Sequence, residues 1–169
     1  FPMSVGTAGG YLFVEFLENA TSRIEQRRLD GSLVREISLP GVGSAGGFSG
    51  RWEDTTLYYS FTNYINPSTT YLFHIETGES EVYRASEVAF NPAEFESYQV
   101  FYTSADGTEI PMIITHKKGL VRDGSNPTML YGYGGFNISL TPYFSTSVLP
   151  WLERGGVYAV ANLRGGGEK

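Results

Sequence analysis

The chain has no cysteine. That excludes disulfides, thiol nucleophiles and cysteine-ligated zinc. Only two histidines occur, His74 and His116. They stand far apart without a shared motif, so both read as ordinary, partly exposed side chains, and no metal site is expected. Basic residues are scarce, with 12 Lys+Arg against 18 Asp+Glu and a net charge of −6. A duplex-binding protein needs a basic face to neutralise phosphates. Arg27-Arg28 and Lys117-Lys118 are too little for one, and nucleic acid is not an expected partner. Long apolar runs are missing too. Tyr11–Val14 and Val157–Ala161 fall far short of the ~20 residues that a membrane helix needs, so no membrane partner is expected. There is no Gly-x-Ser-x-Gly elbow. Ser49 in Gly47-Phe48-Ser49-Gly50 comes nearest, but Arg51 takes the place of the last glycine, and Ser49 reads as structural. At Phe1 there is neither the basic region nor the apolar region of a signal peptide. Neither end reads as a natural terminus. An internal piece of a longer protein is therefore expected, cytoplasmic, with a periplasmic or secreted parent left open.

What is present favours strands. Aromatics reach 15%, with 12 Tyr and 11 Phe, and there are 21 Gly; flat rings suit pleated surfaces and glycines suit turns. The first half reads as strand after strand: Tyr11–Leu17, Ser22–Leu29, an Asp30-Gly31 turn into Leu33–Leu39, a small-residue strand in Gly41–Gly50, Thr56–Thr62, Thr70–Ile75, a Thr77-Gly78 turn, and Ser80–Tyr83. The pattern from Tyr11 recurs from Thr56, an offset near the ~40–50 residues of a β-propeller blade. A two-sheet sandwich has similar spacing and stays open on periodicity alone.

The tone changes over Ala85–Tyr98, which suggests a crossing between domains. Two strand runs, Tyr98–Thr103 and Thr108–Thr115, flank an Asp106-Gly107 turn and read as a hairpin. A polar loop over Lys117–Asn126 precedes a short buried strand, Thr128–Tyr131. A glycine loop, a short helix over Ser147–Arg154 ended by Gly155-Gly156, and an apolar strand over Val157–Leu163 complete an α/β unit.

The glycine loop Gly132-Tyr133-Gly134-Gly135-Phe136-Asn137 invites a nucleotide reading. Asn137, however, stands where a dinucleotide fingerprint needs its third glycine, and no Gly-Lys-Ser/Thr follows. No cofactor is expected. In α/β-hydrolases the loop after an early strand supplies part of the oxyanion hole, and a tyrosine hydroxyl can donate to a developing oxyanion as an amide does. Asn19-Ala20-Thr21 and Asn137-Ile138-Ser139 match the glycosylation pattern by chance frequency and receive no role.

Two blocks carry a specific resemblance. Tyr131-Gly132-Tyr133-Gly134-Gly135-Phe136-Asn137-Ile138-Ser139 with Thr141-Pro142, and Ala161-Asn162-Leu163-Arg164-Gly165-Gly166-Gly167-Glu168, resemble the prolyl oligopeptidase family. Asp106–Met112, His116–Gly119 and Gly47–Gly50 fit it as well. The resemblance implies a mixed fold: residues 1–86 as the last blades of a seven-bladed β-propeller, and residues 87–169 as the start of an α/β-hydrolase domain, both incomplete. It implies a serine endopeptidase acting on short peptides after proline, with a monomeric parent. Tyr133 matches the oxyanion-hole tyrosine, and Phe136 matches an aromatic lining the proline pocket. Arg164 is expected to hold its loop through a carboxylate. The serine, aspartate and histidine of the family come later in the chain, so these 169 residues alone are expected to be inactive. A sister peptidase cutting after basic residues, and a non-catalytic propeller that binds another protein, are the competing readings. Gly134-Gly135-Phe136 favours the proline enzyme over its sister.

Overall fold

The computed structural model describes residues 2–168. Its strands form three four-stranded sheets. The first is an antiparallel meander of β1 (Pro2–Ala8), β2 (Tyr11–Glu18), β3 (Thr21–Arg27) and β4 (Leu33–Glu36), ordered as in the chain. The second repeats that plan with β5 (Ser44–Gly46), β6 (Thr56–Thr62), β7 (Thr69–His74) and β8 (Ser80–Arg84). The expected repeat is present: β2 starts at Tyr11 and β6 at Thr56.

Alternation explains how the two meanders share a core. Leu57, Tyr59 and Phe61 of β6 are buried while Tyr58 and Ser60 between them are exposed, the period of two that a half-covered strand requires. Phe13 and Ile24 of the first sheet pack in one cluster with Phe48, Tyr59 and Phe73. Phe48 stacks on Tyr59 with ring centroids 4.6 Å apart, and Tyr59 on Tyr71 at 5.2 Å. The buried Gln26 Nε2 donates across to the carbonyl of Ile75 at 3.1 Å.

Three features depart from expectation here. Strand β1 was not foreseen, because only Ala8 in it is fully buried and no alternation marks it. The Gly41–Gly50 strand contracts to three residues, since glycine-rich backbone has little side chain to pack. The link between β2 and β3 is a two-residue turn at Asn19-Ala20, with φ of 52° and 63°. This is the primed turn that matches strand twist. It carries alanine where glycine would have announced it.

The third sheet is mixed, in the order β11-β12-β10-β9. Strands β9 (Phe95–Thr103) and β10 (Glu109–Lys117) form the hairpin expected around Asp106-Gly107. Strand β12 (Val157–Ala161) runs antiparallel to β10 and parallel to β11 (Thr128–Gly132). The crossover from β11 to β12 contains α1 (Leu149–Glu153). This helix is shorter than Ser147–Arg154. Pro150 sits in its first turn, where a missing N–H costs no bond, and Gly155 ends it at φ +85°. All five residues of β12 are buried, as expected of a covered parallel strand. Strand β11 was expected to be buried and is instead exposed throughout. It is the edge of this sheet, and Met129, Leu130 and Tyr131 face outward.

Candidate functional site

Two glycine loops meet beside the third sheet. The first leaves β11 and carries Tyr133 and Phe136. The second leaves β12 and runs from Asn162 to Glu168. They interlock through backbone: Asn137 N donates to the Gly165 carbonyl at 3.2 Å, and Ser139 Oγ to that of Gly166 at 3.2 Å. Glycine is needed for the fit. A Cβ on Gly134 would stand 2.3 Å from the Arg164 carbonyl oxygen, closer than atoms can approach. Gly165 holds φ +98° against the Gly134 carbonyl.

The second loop is tied at both ends. Arg164 ion-pairs with Asp106 and donates from Nη2 to Ser104 Oγ at 3.2 Å, so the β9–β10 turn holds it. The Arg164 guanidinium beside Asp106 pulls that carboxyl down to about 2. The carboxylate partner expected for Arg164 is therefore present. At the other end, Glu168 accepts from two main-chain amides of the β2–β3 turn: Asn19 N reaches Oε1, and Ala20 N lies 2.7 Å from Oε2. Gln99 Nε2 of β9 donates to the Asn19 carbonyl at 2.7 Å. Consecutive positive φ values turn both amides of that tip to one side, the arrangement that receives anions.

A cavity of about 250 Å³ opens where these parts meet, lined in part by Asn19, Ala20, Pro111, Tyr133, Leu163 and Glu168. Tyr133 is 37% exposed, and its hydroxyl makes no hydrogen bond among the described residues. Phe136 shares the loop but lies outside this lining. It is 91% exposed at φ +52°, followed by Asn137 at φ +57°. Two successive non-glycine residues in the left-handed region are a strained backbone, of the kind that collects at functional loops.

The two histidines lie outside this lining. His74 is partly exposed near Glu81, at 3.4 Å. His116, expected to be partly exposed, is buried on β10. It accepts from or donates to the Tyr98 hydroxyl at 3.1 Å and meets the Lys117 carbonyl at 2.8 Å through Nδ1. An Nδ1–H donated to that carbonyl leaves Nε2 to accept from tyrosine, so both ring nitrogens have partners. Ser49 sits in the loop between β5 and β6, with its amide on the Gly47 carbonyl at 2.7 Å. No group of three or more metal-ligating side chains occurs among the described residues.

Sequence reading missed Glu168, Asn19, Ala20 and Gln99 as partners. Glu168 lies 149 residues from Asn19, and no local pattern reports such a contact.

The two meanders of four antiparallel strands follow one another along the chain, the second repeating the strand order of the first. The sequence model of "Prolyl oligopeptidase, N-terminal beta-propeller domain" matches residues 2–86, half of the chain, which removes the sandwich alternative. The chain belongs to the prolyl oligopeptidase family. It is 59% identical over 167 residues to a prolyl endopeptidase of Elizabethkingia miricola, covering 99% of this chain and 24% of that protein. A prolyl endopeptidase of Dictyostelium discoideum is 36% identical over 160 residues, covering 92% of this chain and 21% of its own. A solved structure from a study of two prolyl endopeptidases and their inter-domain dynamics superposes with a TM-score of 0.87 at 48% identity, over 99% of this chain and 25% of that one. Prolyl oligopeptidase B from Galerina marginata gives 0.86 at 32%, over 99% and 24%. The chain thus spans about a quarter of the length of the relatives it matches.

Proposed function

We propose that this chain is a segment of a serine endopeptidase that cleaves short peptides on the carboxyl side of proline. In this reading residues 1–86 are propeller blades, and residues 87–169 begin an α/β-hydrolase domain. The mixed sheet with its parallel β11–β12 pair and helical crossover supports the second assignment. The observation that carries the reading is the Tyr133 hydroxyl, without a hydrogen-bond partner among the described residues and set on a loop locked from behind.

The reaction is acyl transfer. A serine oxygen, from outside these residues, adds to the carbonyl carbon after proline while its proton passes to a base. The carbonyl π electrons move onto oxygen. Tyr133 donates a hydrogen bond to that oxyanion, stabilising charge that exists only in the transition state. Collapse expels the amine with a proton, and water then releases the acyl group. Phe136 offers a flat apolar face to the pyrrolidine ring, and its exposure leaves that face open to a substrate. The segment itself holds no nucleophile–base pair in this scheme, so its part is to stabilise and position.

The test is fluorophosphonate labelling and proline-peptide cleavage by the polypeptide that carries this chain. Tyr133→Phe lowers kcat by ~10²–10³ with KM little changed, as for loss of one oxyanion donor. An unchanged kcat removes Tyr133 from the mechanism. A protein that neither labels nor cleaves returns the propeller to a binding role.

A further inference from the structure

The two glycine loops present their interlocked backbones to the Tyr133 side chain, and the rear loop has no rigid element of its own. Between Arg164 and Glu168 it consists of Gly165, Gly166 and Gly167, the most flexible residues available. Its position must therefore come from its ends. One end is fixed within the third sheet by the Arg164–Asp106 pair. The other end leaves that sheet and reaches the first propeller blade. There the Glu168 carboxylate occupies the two amides at the Asn19-Ala20 tip, and Gln99 grips the same tip from the carbonyl side.

From this geometry we infer that Glu168 is a positioning residue that braces the Tyr133 loop against the first propeller blade, an inference that rests on the peptidase reading above. The load path is continuous. The blade tip holds Glu168. Gly165 and Gly166 carry the position to Asn137 and Ser139 through main-chain and hydroxyl hydrogen bonds. Gly134, packed on the Arg164 carbonyl, fixes the backbone next to Tyr133. Glu168 touches no reacting atom on this path. It acts by keeping the phenol where an oxyanion would form, and small misplacements of such donors are costly.

The chemistry of the clasp makes specific variants informative. Two amides receive two carboxylate oxygens, so Glu168→Gln keeps one acceptor and reverses the other into a donor. Glu168→Ala removes both. Gln99→Ala loosens the tip and leaves the carboxylate in place.

The experiment uses the full polypeptide carrying this chain. Wild type, Glu168→Ala, Glu168→Gln and Gln99→Ala are compared for kcat, KM and backbone amide exchange over residues 132–139. The variants are made in both the Tyr133 and the Tyr133→Phe backgrounds. Glu168→Ala is expected to lower kcat by ~10-fold at nearly constant KM and to speed exchange over 132–139. Glu168→Gln should fall between wild type and alanine. In the Tyr133→Phe background the kcat loss should vanish, because the residue through which the brace acts is gone. An equal fold loss in both backgrounds, or unchanged kcat and exchange in Glu168→Ala, overturns the brace. A wild type that neither labels with fluorophosphonate nor cleaves overturns the peptidase reading instead. Exchange over 132–139 then still decides whether Glu168 holds the loop.

Discussion

The third sheet meets the two blades through seams of opposite chemistry. Against the second blade, the loop between β6 and β7 inserts Tyr64 and Ile65 into the sheet's own core, among Phe95, Ile113, Leu152, Tyr158 and Val160. Asn63 is buried under that loop and accepts from the amides of Ile65 and Asn66 at 3.0 and 2.8 Å, while its Nδ2 donates to the Val42 carbonyl at 3.1 Å. Burial raises the Tyr64 phenol above its ordinary value, with Tyr158, Tyr143 and Tyr131 adding to the shift. Against the first blade no such plug occurs among the described residues. The seam there is the Asn19-Ala20 tip, the Glu168 carboxylate and the Gln99 amide. The difference is one of reach. Apolar insertion loses its energy only when many atoms separate together, whereas these three directional bonds lapse within about an ångström or two. The second-blade seam is the fixed side of the assembly. The first-blade seam rests on directional hydrogen bonds alone, and through Glu168 it joins the second glycine loop.

That contrast can be broken by substitution, starting with the largest effect. Tyr64→Ala empties a buried aromatic site and should destabilise the polypeptide by ~3–5 kcal/mol, read as a shift in urea midpoint. Asn63→Ala leaves the amides of Ile65 and Asn66 without their acceptor and should cost ~2 kcal/mol by the same measurement. Gln99→Ala, at the polar seam, removes one partly buried hydrogen bond and should cost ~1 kcal/mol or less. If Gln99→Ala proved as damaging as Tyr64→Ala, the two seams would not differ in kind. The smallest effect concerns acid. Asp106 is held down to about 2 chiefly by its hydrogen bond from Arg164. Its folded value lies below the unfolded one, so whatever the pair contributes is present above the ordinary value of 3.8 and is lost as pH falls through about 2. The pair is exposed, and its effect on stability is small. Carboxyl chemical shifts should show Asp106 titrating near 2. Titration at the ordinary value would remove the Arg164 anchor.

The sequence declared what short-range physics controls. The recurrence from Tyr11 to Thr56, the Asp30-Gly31 and Asp106-Gly107 turns and the apolar run of β12 follow from alternation and from residues suited to positive φ, and all are found. The loop blocks at Tyr133 and Arg164 were legible as motifs. What stayed hidden depended on neighbours distant in the chain. Strand β1 carries no buried face of its own, β11 is exposed because its place in the sheet is an edge, and His116 is buried by Tyr98 rather than by any local pattern. The turn at Asn19-Ala20 was masked by its alanine, and its partner Glu168 lies at the opposite end of the sequence.

The interlocked glycines also bear on how this surface can diversify. Substitution at Gly134 drives a methyl group into the Arg164 carbonyl, and at Gly165 into the main chain of Gly134. These positions offer natural drift or a laboratory library almost no viable alternatives. Variation is channelled to the exposed neighbours Phe136, Asn137 and Ile138, the first two limited to residues that tolerate their positive φ. A randomised library confined to those three codons should return more folded proteins than one spread over the glycines.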